Sequence, residues 1–152
     1  MQIRRALAGD AAELADLYLR ARRAAEPAIP PMVHTDAETH EWMAGQVEAL
    51  DVWVVVDGER IIGLLILAGG WLDQLYVDPT VTGKGIGSRL VDLAKDQQPE
   101  GLQLWTFASN VGAQRFYERH GFEAVERTDG SDNEEGAPDI RYVWSGVTRG
   151  RG

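Results

Sequence analysis

Two hydrophobic periods alternate along this chain, and the switches between them mark its elements. Gln2–Arg5 reads as a short strand. Asp10, followed by Glu13, fits an acidic cap, and Leu14, Leu17, Tyr18 and Ala21 then recur at helical spacing, so a first helix is expected to about Arg23. Pro27, Pro30 and Pro31 make residues 26–32 a loop. Thr35, with Glu38 in capping-box register, opens a second helix through Trp42, Met43, Gln46, Val47 and Leu50. Residues 52–56 are β-branched and aromatic, a strand signature. Asp57-Gly58 is a strong hairpin signal, answered by a partner strand over Arg60–Ala68. Gly69-Gly70 turns again, and Trp71–Val77 returns as a third antiparallel strand.

The pattern then changes abruptly. Pro79 cannot donate to a ladder, and Gly83, Gly85 and Gly87 follow at every second position. Ile86, Leu90, Leu93 and Ala94 lie directly behind at helical spacing, so a helix is expected to about Gln98, stopped by Pro99-Glu100-Gly101. A strand is expected over Leu102–Phe107, a helix over 110–120 ended by Gly121 at its left-handed cap, and strands over 122–127 and 140–144 around a loop at 129–138. The order is β-α-α-β-β-β-α-β-α-β-β. The strand–helix–strand around the glycines should be parallel and right-handed, the flanking hairpins antiparallel. The expected fold class is therefore α/β, an α+β mixed sheet with helices on its faces. One domain is expected over residues 1–147, with 148–152 a frayed tail.

Composition narrows the chemistry. The chain has 152 residues and no cysteine, which excludes disulfides and thiol nucleophiles. No apolar run is long enough to span a bilayer, and there is no apolar signal region at the N-terminus, so no membrane partner and a cytoplasmic location are expected. The formal charge of −9 argues against a nucleic-acid partner. The acids cluster at 36–51 and 129–139, stretches without Lys or Arg. That clustering serves solubility or attracts a cationic substrate, and both readings stay open. The loop and second helix, with His34, His40 and Trp42, line a substrate mouth or pack at the surface.

The glycine stretch reads as strand, loop, helix N-terminus. Glycines allow a tight turn and close approach, and the first turn of a helix offers free N–H groups to an anion. Lys84 adds a positive charge. The spacing does not fit the dinucleotide pattern or the phosphate loop of nucleotide triphosphatases, and a plain tight turn is the competing reading. On the following helix, Asn110 and Tyr117 are separated so as to share one face, ~10 Å apart along the axis. Asn110 also fits a plain N-cap, and Tyr117 and Phe116 also fit core aromatics.

Taken together, Leu75-Tyr76-Val77-Asp78-Pro79 with Gly83-Lys84-Gly85-Ile86-Gly87-Ser88-Arg89-Leu90 resembles the acetyl-CoA-binding motif of the GNAT N-acetyltransferase superfamily. Asn110, Ala113 and Phe116-Tyr117-Glu118-Arg119-His120-Gly121-Phe122 resemble the motif that follows it there. The resemblance implies that the backbone of Leu75, Tyr76 and Val77 pairs with the pantetheine arm, with the Val77 N–H near the thioester carbonyl. It implies that the amides of Gly83, Lys84, Gly85, Ile86, Gly87 and Ser88 bind the pyrophosphate, that Asn110 and Phe116 meet the cofactor arm, and that Tyr117 is the general acid. The family usually has Gln or Arg where this chain has Thr82, which keeps a hydroxyl donor but loses a charge-assisted bond, and Lys84 or Arg89 would compensate.

The implied activity is direct transfer of acetyl from acetyl-CoA, as co-substrate and without a metal, to a primary amine. Asp73 is the first candidate for the base, ahead of Glu134, Glu135 and His34. The acidic segments favour a cationic acceptor: a polyamine, an aminoglycoside-like compound, a lysine side chain or an N-terminal amine. A homodimer is compatible with the resemblance. A catalytically silent acyl-CoA sensor on the same fold, or another phosphate ligand at the loop, are the competing functions.

Overall fold

The computed structural model describes residues 1–147, and the segment 148–152, expected to fray, lies outside the described residues. The elements are β1 (Gln2–Arg5), α1 (Ala11–Ala24), α2 (Asp36–Ala49), β2 (Asp51–Asp57), β3 (Arg60–Ala68), β4 (Trp71–Val77), α3 (Ile86–Gln97), β5 (Leu102–Phe107), α4 (Val111–Arg119), β6 (Glu123–Thr128) and β7 (Asp139–Trp144). Their order is the one expected from the pattern. Two 3-10 turns, Ala8–Asp10 and Pro79–Val81, were not anticipated. The strands form one seven-stranded mixed sheet in the order β1-β2-β3-β4-β5-β7-β6, so the fold is mixed α/β as expected.

Two hydrophobic layers sandwich the first half of the sheet. α1 and α2 close one face through Leu14, Leu17 and Met43 against Val52, Val54, Leu64 and Ile66. α3 closes the other through Ile86, Leu90 and Ala94 against Val55, Leu65, Leu67, Leu102 and Leu104. β3 is buried on both faces, which explains why its sequence is a continuous apolar run rather than an alternating one. Each fully buried Leu of this core contributes about 2 kcal/mol.

Local caps mostly follow the sequence. Thr35 and Glu38 form the reciprocal capping box, Oγ1 accepting from the Glu38 amide at 3.1 Å and Oε1 from the Thr35 amide at 2.9 Å. Asn110 Oδ1 accepts from the Ala113 amide, and Gly121 takes the left-handed conformation beyond α4 (φ +85°). Asp10 is a correction: it does not cap α1. Its Oδ2 accepts from the Leu7 amide at 2.7 Å and pairs with Arg4 at 2.8 Å, closing the 3-10 turn ahead of the helix. A charge-assisted partner from β1 outcompetes a helix amide for the same carboxylate.

Candidate functional site

β4 and β5 are parallel neighbours that barely touch. The only register pair between them is Trp71 with Gln103, where the Gln103 amide donates to the Gly70 carbonyl at 2.9 Å. Beyond that point the strands splay. The direction of the freed backbone groups follows from one hydrogen bond: the Asp78 amide donates to Ile62 on β3 at 2.9 Å. Alternation along β4 then turns the N–H and C=O of Tyr76 toward β3 and those of Leu75 and Val77 into the gap. A strand edge with unpaired donors and acceptors in the middle of a sheet is a template for an extended guest.

The gap is a narrow cavity of about 110 Å³ between the strands, lined by Asp73, Leu75 and Tyr76 on one side and by Thr106, Asn110 and Tyr117 on the other. Thr106 is buried, and its hydroxyl has no hydrogen-bond partner among the described residues. A groove of about 530 Å³ runs from the gap along the outside of the molecule. Leu75, Tyr76, Val77, Thr82, Asn110 and Phe116 all line it, with Tyr117. The structure thus brings these expected cofactor residues to one concavity.

At the end of the groove stands the glycine loop. Asp78 pins its start. The carboxylate is 1% exposed, accepts from the Thr80 amide (2.9 Å) and hydroxyl (2.7 Å), and pairs with Arg20 at 2.9 Å and Arg60 at 3.2 Å. Burial alone would raise its pKa, but the bonds from Thr80 and Arg20 outweigh that and hold it at about 2. Gly85 is the N-cap of α3 in the left-handed region (φ 76°), which a residue with a Cβ adopts only with strain. The first α3 amide bonded to backbone is that of Arg89, to the Gly85 carbonyl. The amides of residues 83–88 have no protein acceptor among the described residues, so Gly83, Lys84, Gly85, Ile86, Gly87 and Ser88 present a run of free donors at the positive end of α3.

The side chains in this loop differ in use. Ile86 is 2% exposed and belongs to the core, so only its backbone is available to a ligand. Gly87 sits inside the helix, where a Cβ would come 3.2 Å from Phe116 Cζ; its smallness lets α3 and α4 approach. Ser88 Oγ lies 3.1 Å from His120 Nε2, and burial lowers the pKa of that imidazole. Thr82 Oγ1 donates to the Pro79 carbonyl at 3.4 Å, within its own loop.

Tyr117 is 8% exposed and packs edge-on against Phe116 and Phe122. Its hydroxyl has no hydrogen bond among the described residues, and burial raises its pKa, which keeps the phenol protonated. Asp73 is the extra residue of a β-bulge: Ile66 pairs with Gln74 while Leu67 pairs with Leu72. A bulge re-aims a side chain. Here it sets Asp73 in the wall shared by the gap and two further cavities. The residue is exposed at the rim, yet loss of surrounding water still raises its carboxyl above the usual value, against a lowering hydrogen bond from Gln74.

The larger of those two cavities, about 720 Å³, opens on the α1–α2 side of β4. His34, Glu38, Glu41, Trp42, Asp73 and Glu134 line it, so the loop and second helix border a cavity. His40 is not part of it and pairs with Asp16 instead. The β6–β7 loop reaches over this cavity, with His34 Nε2 2.7 Å from Glu134 Oε2. The hydrogen bond that Glu134 accepts from the imidazole raises the His34 pKa.

Sequence reasoning missed Tyr18 and Arg22 as cavity residues. Arg22 is 6% exposed and donates to the Tyr18 hydroxyl and the Pro30 carbonyl, both at 3.1 Å, with Glu135 3.5 Å away. The available signal was an arginine sitting in the apolar stripe of α1, one turn after Tyr18. Among the described residues no group of His, Asp and Glu is arranged to hold a metal ion, and no helix is long and apolar enough to cross a membrane.

Residues 48–124 match the family model described as an acetyltransferase (GNAT) domain. The chain belongs to the GNAT acetyltransferase family. It is 31% identical over 109 residues to the peptidyl-lysine N-acetyltransferase YjaB of Salmonella typhimurium, covering 71% of this chain and 74% of that one. Its fold superposes on the solution structure of apo YjaB from Escherichia coli with a TM-score of 0.77 and 26% identity, over 96% of this chain and 98% of that one. It also shares the fold of yncA from Salmonella typhimurium, solved with its cofactor acetyl-CoA (TM-score 0.71, 19% identity, 100% and 97% covered). The chain is accordingly an N-acetyltransferase.

Proposed function

We propose that residues 1–147 act as one domain that transfers acetyl from acetyl-CoA directly to a cationic primary amine, with a lysine side chain of a protein as the acceptor. The observation that carries this reading is the splayed β4 edge. It lies between a run of free amides, suited to phosphates, and an acidic cavity, suited to a cation. The curated relatives named for peptidyl-lysine favour lysine over the other amines.

The roles follow from position. The amides of residues 83–88 hold the pyrophosphate. The Leu75 and Val77 backbone pairs with the pantetheine arm, and the unpaired hydroxyl of Thr106 is a further donor beside it. An N–H of that edge stabilises the negative charge that develops on the thioester oxygen as the amine nitrogen bonds to the carbonyl carbon. Tyr117 gives its proton to the sulfur as the C–S bond breaks. Asp73, directly or through a water, takes one proton from the ammonium so that the neutral nitrogen can attack; the second proton, shed once the C–N bond has formed, passes to solvent, and solvent returns a proton to Tyr117. Asn110 and Phe116 shape the wall beside the arm. Thr82 bonds within its own loop, so phosphate charge falls to the backbone and to Lys84 and Arg89, neither of which has an ion-pair partner among the described residues.

The test is thiol release from acetyl-CoA with an acceptor panel: lysine peptides, N-terminal amines, a polyamine and an aminoglycoside. The reading expects turnover with lysine peptides and saturable acetyl-CoA binding by calorimetry. Turnover only with a neutral or acidic amine would overturn the acceptor assignment.

A further inference from the structure

The two halves of the sheet are not covered alike. α1 and α2 pack only on the first half, and their hydrophobic layer includes no residue of β5, β6 or β7. The α1–α2 side of that second half is therefore open. It presents Trp105 and Phe107 from β5, cross-strand from Arg141 and Asp139 of β7. Trp105 is 43% exposed, which leaves a large apolar ring facing water.

A cavity of about 470 Å³ lies over this face, walled by Glu126, Asp132, Glu135 and Asp139. Glu126 pairs with Arg141 at 2.8 Å, and Glu135 is 3.5 Å from Arg22. Asp139 accepts from Thr128 and Asn133, which leaves its charge in place. Asp132 has no ion pair among the described residues. Carboxylates therefore outnumber cations, beside an aromatic ring that suits a cation's face-on approach.

A third cavity, about 300 Å³, joins this one to the acceptor mouth. It shares Trp105, Phe107 and Glu135 with the open-face cavity, and Asp73, Gln74 and Glu134 with the mouth. Arg22 lines both the mouth and this connecting stretch. It is more than nine-tenths buried, and its Nε has no hydrogen-bond partner among the described residues. A small amine confined to the mouth would have no use for the open-face cavity or the stretch that joins it.

We infer that the acceptor lysine is presented by an extended, basic protein segment, and that a Lys or Arg near it seats in the open-face cavity against Trp105, Glu126 and Asp132. This rests on the proposed lysine acceptor and adds a second, cation-selective subsite outside the mouth. The lysine amine enters at Asp73 and Glu134, the segment crosses Arg22, and the flanking cation settles on the uncovered sheet.

The experiment measures kcat/KM for end-capped peptides with one central lysine among alanines, and for a series with Arg, or Glu, scanned from three residues before it to three after. An Arg at a favoured offset should raise kcat/KM about tenfold over the all-Ala peptide, and Glu there should lower it. In the double variant Glu126→Gln/Asp132→Asn the Arg advantage should vanish while the all-Ala peptide keeps its rate. Asp132→Lys, a change at an exposed position, should favour the Glu peptide. Equal rates for all peptides, or an Arg advantage untouched by these variants, would overturn the subsite while leaving the lysine acceptor standing. No acetylation of any peptide, with turnover of another amine, would instead remove the lysine reading itself.

Discussion

The proposed cofactor side and the proposed acceptor side of this site are built in different ways. The cofactor side is mostly backbone: the freed edge of β4, the amides of residues 83–88 and the Gly85 turn. All of it falls within a single strand–loop–helix unit plus α4. The acceptor side is made of side chains, and they converge from α1, the α1–α2 loop, α2, the β4 bulge and the β6–β7 loop. Backbone machinery tolerates side-chain change and so suits a ligand that is always the same. Side-chain machinery can be retuned position by position, and here it has been tuned acidic.

That contrast predicts where variants act. The largest effect is expected where the two sides meet. Tyr117→Phe should lower kcat by about a hundredfold, the usual scale of acid catalysis, while acetyl-CoA affinity by calorimetry stays nearly intact. Unchanged turnover would remove Tyr117 from the chemistry. Asp73→Asn should also lower kcat/KM, and it carries a pH signature. A base works deprotonated, so activity falls as pH drops through its pKa. That limb should lie above the ordinary carboxylate value, since loss of surrounding water raises the pKa of Asp73, and it should be absent in the variant. A limb that persists in Asp73→Asn would assign the base elsewhere.

Asp78 tests the cofactor side alone, through stability. Its pKa is depressed from 3.8 to about 2, so its contribution is fully present above the unfolded value of 3.8 and is lost as pH falls toward 2. Asp78→Asn should cost about 2 kcal/mol at neutral pH, from the lost cap and charged bonds, by urea unfolding. The gap to the native chain should shrink below about pH 4. A gap that is the same at pH 3 and pH 7 would contradict the ionic account of the pin.

The smallest effect belongs to the acceptor rim. Glu134→Gln should raise KM for a cationic acceptor about threefold without changing acetyl-CoA affinity. It should also lower the His34 pKa, measured by NMR titration, because the Glu134 bond is the main cause of its elevation. The His34–Glu134 pairing is complete below the unfolded histidine pKa and is lost as pH rises through the folded one. A His34 titration unmoved by the substitution would show that the two do not pair in solution.

The same contrast explains what was legible in the sequence. The element order and the shape of the glycine loop could be read because each rests on neighbours in the chain: Asp57-Gly58 on its hairpin, Gly85 on its φ, Asn110 on its own helix. Asp10 was misread because its partner Arg4 comes from another element. The β4 bulge is invisible in the alternation, so Asp73 could be suspected but not aimed. Tyr18 read as part of a helix stripe and Arg22 drew no reading, because the place of Arg22 in the cavity wall depends on Pro30 and Glu135, the latter more than a hundred residues away. The uncovered face of β5, β7 and β6 has no local signal at all, because it is defined by where α1 and α2 stop.

The central claim is that the splayed edge of β4 receives the cofactor arm while the free amides beyond it receive the phosphates. Amide hydrogen exchange with and without acetyl-CoA measures this at single residues. The account predicts slowed exchange at Leu75 and Val77 and across residues 83–88 on binding, with Tyr76, already paired to β3, unchanged. Saturable binding with no protection at Leu75 and Val77 would contradict it.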